Sequence, residues 1–282
     1  MARKRKEPSP EVVFNLTGLI EYKVVELIYD GAGRKRASLY LVEVRRPVKA
    51  ARDRKSRRVA SKTSESAQGV YVLKIFPESR ANEVDYEADL AANIELSRTS
   101  VVPDAEAACD AMLQSANHNL GAVRWPRCYG TMTVRANLTC GQWVAGETGP
   151  STCHSILFEY FPGLEALRKE DVTEELAVDF KKLLADLHSI RILHRDHINH
   201  AIWPEVGFNN VFLRKNAADC KKDLIILDFD KAKVLGDGAR DRALFADELA
   251  RIDELLEQAL SGKALAGSTS KEVQKLLAGH RV

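Results

Sequence analysis

Three polar residues in a row, His194-Arg195-Asp196, stand upstream of the pair Asn209-Asn210, and an apolar Val-Phe-Leu run follows that pair. Such a run can hold an acid and a carboxamide close together, which makes the stretch either a catalytic loop or three polar residues in a turn. Further on, "KDLIILDFDKAKV" ends its apolar run at Asp228-Phe229-Asp230. A cation of interest lies far upstream, in "GVYVLKIF". Side chains alternate along a strand, so Val70, Val72 and Lys74 share one face and Tyr71, Leu73 and Ile75 the other. An ammonium on an apolar face is costly unless a carboxylate or a phosphate pairs with it. The helical stretch "RANEVDYEADLAANIEL" offers Glu83 and Glu87, one turn apart on a common face. Glu87 is the preferred partner because it sits nearer the helix centre beside Leu90 and Ala91, and Glu83 stays open.

The elements that must position these residues can be read in order. "EYKVVELIYDGAG" and "SLYLVEV" read as two strands joined by a Gly-containing turn, and "GVYVLKIF" as a third. After the helix and a polar stretch, "RWPRCYGTMTV" and "HSILFEYFPG" read as two more, the last ending in the hinge-like Pro162-Gly163. Beyond it the period changes. Leu176, Phe180, Leu183, Leu184, Leu187 and Ile190 recur at helical spacing, with Asp171 or Thr173 available as a cap. "NVFLRK" and "KDLIILDFDKAKV" predict a hairpin. A final helix carries Phe245, Leu249, Ile252, Leu256 and Leu260 on one side.

Composition bounds the class. With 282 residues and 45% hydrophobic content, the chain can bury a core as one domain or two tightly joined lobes. No apolar run is long enough to span a membrane, and the basic start "MARKRKEPSP" has no apolar segment behind it, so an intracellular place, cytoplasmic or nuclear, is expected. The five cysteines are widely spaced without a CxxC pair and read as free thiols. Charge is balanced overall, 42 basic against 40 acidic, yet the segment from Arg45 to Lys62 holds nine Lys or Arg and one acid. It reads as a solvated loop that could touch phosphates, acidic proteins or an import receptor. Nucleic acid is the lesser expectation, and no membrane partner is expected.

Together the residues resemble the protein-kinase-like superfamily. Lys74 in "VYVLKIF", a helix glutamate, "FEYFPG", His194-Arg195-Asp196, Asn210 in "NNVFL" and Asp228 in "LDFD" occur in that family's order and structural context, from about Leu19 to Leu235. The likeness is strongest to small members with a shortened C-lobe. It implies an α+β, two-lobed kinase-like fold: a basic tail at 1–15, an N-lobe at 16–160 with a five-stranded antiparallel sheet, one helix and a basic loop at 45–69, and a reduced, mainly helical C-lobe at 161–282. It also implies ATP and Mg²⁺ as cofactors, with a protein or small-molecule hydroxyl as acceptor. By resemblance, Lys74 holds phosphates and Glu87 or Glu83 orients it, while Asn210 and Asp228 bind the metal. Asp196 takes or orients the acceptor proton. Arg195 orders the loop and His194 packs beneath it. Glu159, Phe161 and Val72 meet adenine, and Gly31 and Gly33 belong to the loop over the phosphates.

Departures from the family pattern set the alternatives. Thirteen residues separate Asp196 from Asn210 where the family usually has four, so Asn209 is an alternative ligand. The opening turn lacks a third glycine, and Asp230 stands where glycine is usual. Only 54 residues follow Asp228, which argues against a peptide-substrate platform. A pseudokinase acting as a binding module is the competing reading. A zinc site from His194, His197 and His200 is disfavoured, since no cysteine or carboxylate other than Asp196 is available to complete it.

Overall fold

The computed structural model describes residues 14–31, 36–46, 69–97, 124–135, 143–145, 152–197, 208–215 and 222–261. The chain divides into two compact units, Met1–Phe161 and Pro162–Val282. Both mix strand and helix, giving an α+β chain. The N-terminal tail, the basic run beyond Arg46, Gly33, His200 and Trp203-Pro204 lie outside the described residues.

The first unit contains β1 (Phe14–Asn15), β2 (Glu21–Tyr29), β3 (Ser38–Arg45), β4 (Gly69–Phe76), α1 (Arg80–Ser97), β5 (Cys128–Arg135), β6 (Trp143–Ala145) and β7 (Thr152–Glu159). The sheet order is β1-β5-β7-β4-β3-β2-β6. Its five long strands run antiparallel, as expected, and β1 and β6 add short edges. Alternation sorts the two faces. Tyr71, Leu73 and Ile75 of β4 enter a core with Val42, Val44, Met132, Val134 and Leu157, and Tyr71 meets Tyr129 edge-on at 5.3 Å. Lys74 takes the opposite face, in register with Ile156, where Phe76, Cys128, Ile156 and Phe158 pack against Tyr86 and Leu90 of α1. The β2–β3 turn requires Gly31, because a Cβ there would run into the Ala37 carbonyl oxygen.

The second unit contains β8 (Glu165–Ala166), a 3-10 turn (Lys169–Asp171), α2 (Glu174–Ser189), β9 (Ile192–Leu193), β10 (Val211–Lys215), β11 (Lys222–Ile226), β12 (Lys233–Val234) and α3 (Ala239–Ser261). Thr173 caps α2, its Oγ1 accepting the Leu176 amide at 3.2 Å, and Glu174 and Glu175 sit at the positive end of the helix dipole. Ala177, Phe180, Leu183, Leu184 and Leu187 form its buried stripe. β10 and β11 make the expected hairpin, with β8 on the other side of β10. β9 pairs with β12, fixing the chain just before His194 beside the segment that follows Asp230.

The inner face of α3 departs from the expected stripe. Ile252, Leu255 and Leu256 are buried, whereas Leu260 is 44% exposed, and a carboxylate, Glu248, occupies the inner face one turn before Ile252. Among the described residues no helix is long and apolar enough to cross a membrane.

Phe180 is fully buried and meets Phe208 edge-on at 5.1 Å, whereas Val178 on the same helix is 67% exposed. Phe180→Ala should cost about 3–5 kcal/mol through lost burial and the cavity left behind. Val178→Ala should stay within about 0.5 kcal/mol. Urea unfolding midpoints of the two variants check the contrast.

Candidate functional site

In the first unit the strand lysine finds its carboxylate, but not the one expected. Lys74 Nζ lies 2.7 Å from Asp89 Oδ2, with the two side chains 7% and 1% exposed. Glu83 and Glu87 are on the exposed side of α1. The reason is helical phase. Asn82, Asp89, Asn93 and Leu96 recur every three to seven residues and form the face turned to the sheet, and at roughly 100° per residue Glu83 and Glu87 point well away from it. Asn93 Nδ2 donates to Asp89 Oδ1 at 2.8 Å, so both carboxylate oxygens have a donor. The ammonium also lies 5.1 Å from the Phe76 ring centroid.

The second unit brings the other expected residues together through a closed ring of hydrogen bonds. His194 is fully buried and its Nε2 meets the Leu227 carbonyl at 3.0 Å. A carbonyl only accepts, so Nε2 carries the proton and Nδ1 presents a lone pair to the Asp196 amide at 3.4 Å. Leu227 N–H donates to the Asn210 carbonyl at 2.9 Å. Asn210 Nδ2 closes the ring onto Asp196, reaching its carbonyl at 3.1 Å and its carboxylate Oδ2 at 3.2 Å. Both of those partners only accept, so the amide nitrogen must face Asp196, and the Asn210 side-chain oxygen is turned the other way as an acceptor. Asn209 Nδ2 donates to the Asp196 carbonyl at 3.2 Å, and its side chain also interacts with the Asp196 carboxylate.

Backbone strain gathers at the same place. Among the described residues four non-glycine residues have left-handed backbones, Arg191, Arg195, Asn210 and Asp228, at φ of 68°, 69°, 57° and 63°. Three of them are expected site residues. The region costs an arginine roughly 1–2 kcal/mol, so Arg195 must be held by its surroundings, whereas asparagine and aspartate enter it more readily. At Arg195 the holder is Glu248, whose Oε1 accepts the Arg195 amide at 2.8 Å. A hydrogen bond to a charged group contributes about 1.5–3 kcal/mol, enough to offset the strain.

Electrostatics follows from burial. Burial, and then the charge of Asp228, raises the Asp196 carboxyl above its ordinary value. Two carboxylates that oppose each other's ionisation make a place where a cation is favoured. Burial lowers His194, and it drives His197 down to about 4. Burial works against the Glu248 carboxylate, yet the His188 hydrogen bond, the His197 ring and the Arg195 amide outweigh it and hold that carboxyl at about 2.

The remaining expected residues fall as follows. Val72 is half-buried beside Phe158 and Ile156. The Glu159 amide donates to the Arg127 carbonyl at 2.9 Å, and its carboxylate accepts the Arg127 amide at 3.2 Å, so these groups are committed within the unit. Phe161 is 9% exposed. Gly31 is explained by its own turn. His194 packs against Phe229 at 4.9 Å, beneath the loop. Among the described residues no three His, Cys, Asp or Glu side chains form a ready-made metal cluster. That does not disqualify Mg²⁺, which keeps several waters and takes one or two protein carboxylates alongside substrate phosphates. One carboxylate, Asp228, and the outward carboxamide oxygen of Asn210 fit that requirement. Asp89 and Glu248 are the residues that sequence reasoning missed. Spacing from Asn82 and Asn93 could have found the first, and no pattern of apolar residues could have found the second.

No family model matches the chain, and no curated protein matches it in sequence.

Asp89→Ala should destabilise the protein by about 3–5 kcal/mol, because it leaves a buried ammonium without its carboxylate. Glu87→Ala should change stability by no more than about 0.5 kcal/mol. Denaturant unfolding of both variants separates the two partner assignments. A pH series gives a second check. His197 falls from an ordinary 6.5 to about 4 on folding, so the unfolded chain takes up the proton first. Stability is therefore full above pH about 6.5 and declines as pH drops towards about 4. The melting temperature should fall across that window, with a shallower slope in His197→Phe.

Proposed function

We propose that this chain is an ATP- and Mg²⁺-dependent phosphotransferase of the protein-kinase-like type, acting on a hydroxyl of a protein or a small molecule. The observation that carries the reading is the ring joining Asp196, His194, Leu227 and Asn210, with Arg195, Asn210 and Asp228 held in left-handed backbone. Of these, the left-handed arginine is the strained one; such strain persists only where the surroundings over-determine it, and it concentrates at functional sites. An antiparallel sheet with one helix in the first unit and a smaller second unit with two long helices are compatible with a kinase-like fold whose second lobe is shortened.

Phosphoryl transfer asks a protein mainly to position its reactants and to neutralise charge. Lys74 would hold nucleotide phosphates, with Asp89 in the orienting role expected of a glutamate. Val72, half-buried on β4, would meet the base. Asn210 and Asp228 would hold Mg²⁺, which when bound supplies charge neutralisation on the phosphate oxygens. Asp196 would accept the hydroxyl proton or orient the hydroxyl. Its raised proton affinity suits a general base, since efficiency grows as the pKa approaches the working pH. Asn210, bonded to the same carboxylate, would keep it turned towards the acceptor.

A thermal shift with ATP, Mg²⁺ and both, combined with transfer from γ-labelled ATP to candidate hydroxyl acceptors, tests this. Mg²⁺ and ATP together should raise the melting temperature by mass action. Asp228→Asn should abolish the metal dependence and lower turnover at least about 100-fold, in the range seen when one charge-stabilising group is removed. Equal turnover in wild type and Asp228→Asn would contradict the assigned metal role. Metal-dependent binding without transfer to any acceptor would turn the reading into a nucleotide-binding module.

A further inference from the structure

We propose that Asn209 is a positioning residue that ties the returning chain ahead of β10 back onto Asp196 and so holds that carboxylate for the acceptor. The inference rests on the phosphotransferase reading for its catalytic consequence, and on the geometry of the second unit for its structural one.

Residues 198–207 separate His197 from Phe208, so the covalent chain alone does little to fix Asp196 relative to Asn210. Bringing the ends of such a connection together costs entropy that grows with its length, and specific contacts must offset it. Here the two ends do meet. His197 and Phe208 are both buried, and their rings pack edge-on against Phe180 at 6.2 and 5.1 Å. The Phe208 amide donates to the Leu167 carbonyl at 3.3 Å, which anchors the returning chain. Asn209 then bonds two consecutive residues on the outgoing side. Its backbone amide donates to the His197 carbonyl at 3.0 Å, and its Nδ2 donates to the Asp196 carbonyl at 3.2 Å.

The Asp196 carbonyl also accepts Asn210 Nδ2, at 3.1 Å. A carbonyl oxygen has two lone pairs, so the two carboxamides fill it, while His194 Nδ1 holds the Asp196 amide on the other side. Both peptide groups that flank the acid are thereby fixed. The two asparagines divide the work. Asn210 turns its side-chain oxygen outward, to the position assigned to Mg²⁺. Asn209 bonds to Asp196 and His197, neither of which is assigned to metal or nucleotide, and its side chain also meets the Asp196 carboxylate. Without Asn209 the Asp196 peptide would lose one of its two tethers and the carboxylate would wander from the acceptor. Loss of Asn209 should therefore spare nucleotide binding and impair the chemical step.

The test compares wild type with Asn209→Ala and Asn209→Asp. Its readouts are kcat, KM for ATP with Mg²⁺, and hydrogen exchange at the Asp196 amide. Asn209→Ala should lower kcat about 10–100-fold, the range typical when a partner that orients a working group is removed, while KM stays within about twofold. Asn209→Asp keeps the shape but loses the donors and sets a carboxylate against a carbonyl and a second carboxylate, so it should be impaired at least as much. A packing role alone would leave Asn209→Asp near wild type. Exchange at the Asp196 amide should accelerate in both variants. A folded Asn209→Ala with wild-type kcat would overturn the proposal, and so would a rise in KM with kcat unchanged, which would place Asn209 on the nucleotide. Should Asn209→Ala fail to fold, the near-isosteric Asn209→Asp decides by the same readouts. If wild type transfers no phosphate to any acceptor, it is the phosphotransferase reading that fails. Exchange then decides the positioning role alone: acceleration in the variants supports it, and unchanged protection overturns it.

Discussion

The imidazole of His194 donates from Nε2 to the Leu227 carbonyl and accepts at Nδ1 from the Asp196 amide, and only a neutral ring can do both. Much of the second unit's arrangement depends on that pair of bonds. Full burial keeps the ring neutral, since an imidazolium there would lose its hydration without gaining a matching acceptor. Because Leu227 in turn donates to the Asn210 carbonyl, one ring orients the loop acid, the carboxamide and the residue before Asp228. The strain at Arg195 is tolerated because its amide is held by the Glu248 carboxylate, while the left-handed Asn210 and Asp228 adopt a conformation their residue types enter readily.

The first unit solves a related problem with opposite means. There the buried group is a cation, Lys74 opposite Ile156, and an unpaired ammonium in such a place is costly. Asp89 pairs with it at 2.7 Å, and Asn93 fixes the carboxylate rotamer from the next turn of α1. A pair this buried adds little net stability over apolar residues of the same shape, but breaking it on one side is costly.

The strands and α2 were legible because their signals are local: β-branched alternation in β4, and a Leu/Phe stripe capped by Thr173 in α2. The lysine partner was not. The inner face of α1 is lined by Asn82, Asp89 and Asn93, so an apolar period carries no phase information there, and the choice fell on Glu87. For the same reason an apolar stripe on α3 runs to Leu260 and passes over Glu248, a charge whose burial makes sense only once His188 and Arg195 are beside it. Order along the chain pointed to Asp196, Asn210 and Asp228. The bonds that join Asp196 to Asn210, and Asn210 to Leu227 next to Asp228, link residues far apart in sequence and follow from tertiary packing alone.

Paramagnetic relaxation by Mn²⁺ in place of Mg²⁺, read by NMR in the presence of ATP, addresses the central claim most directly. Bound metal should broaden the Asn210 side-chain amide and the Asp228 and Asp196 backbone amides first, at substoichiometric Mn²⁺. Broadening should require the nucleotide and disappear in Asp228→Asn. Broadening elsewhere, with these signals untouched, would contradict the assignment of this ring as the metal–nucleotide site.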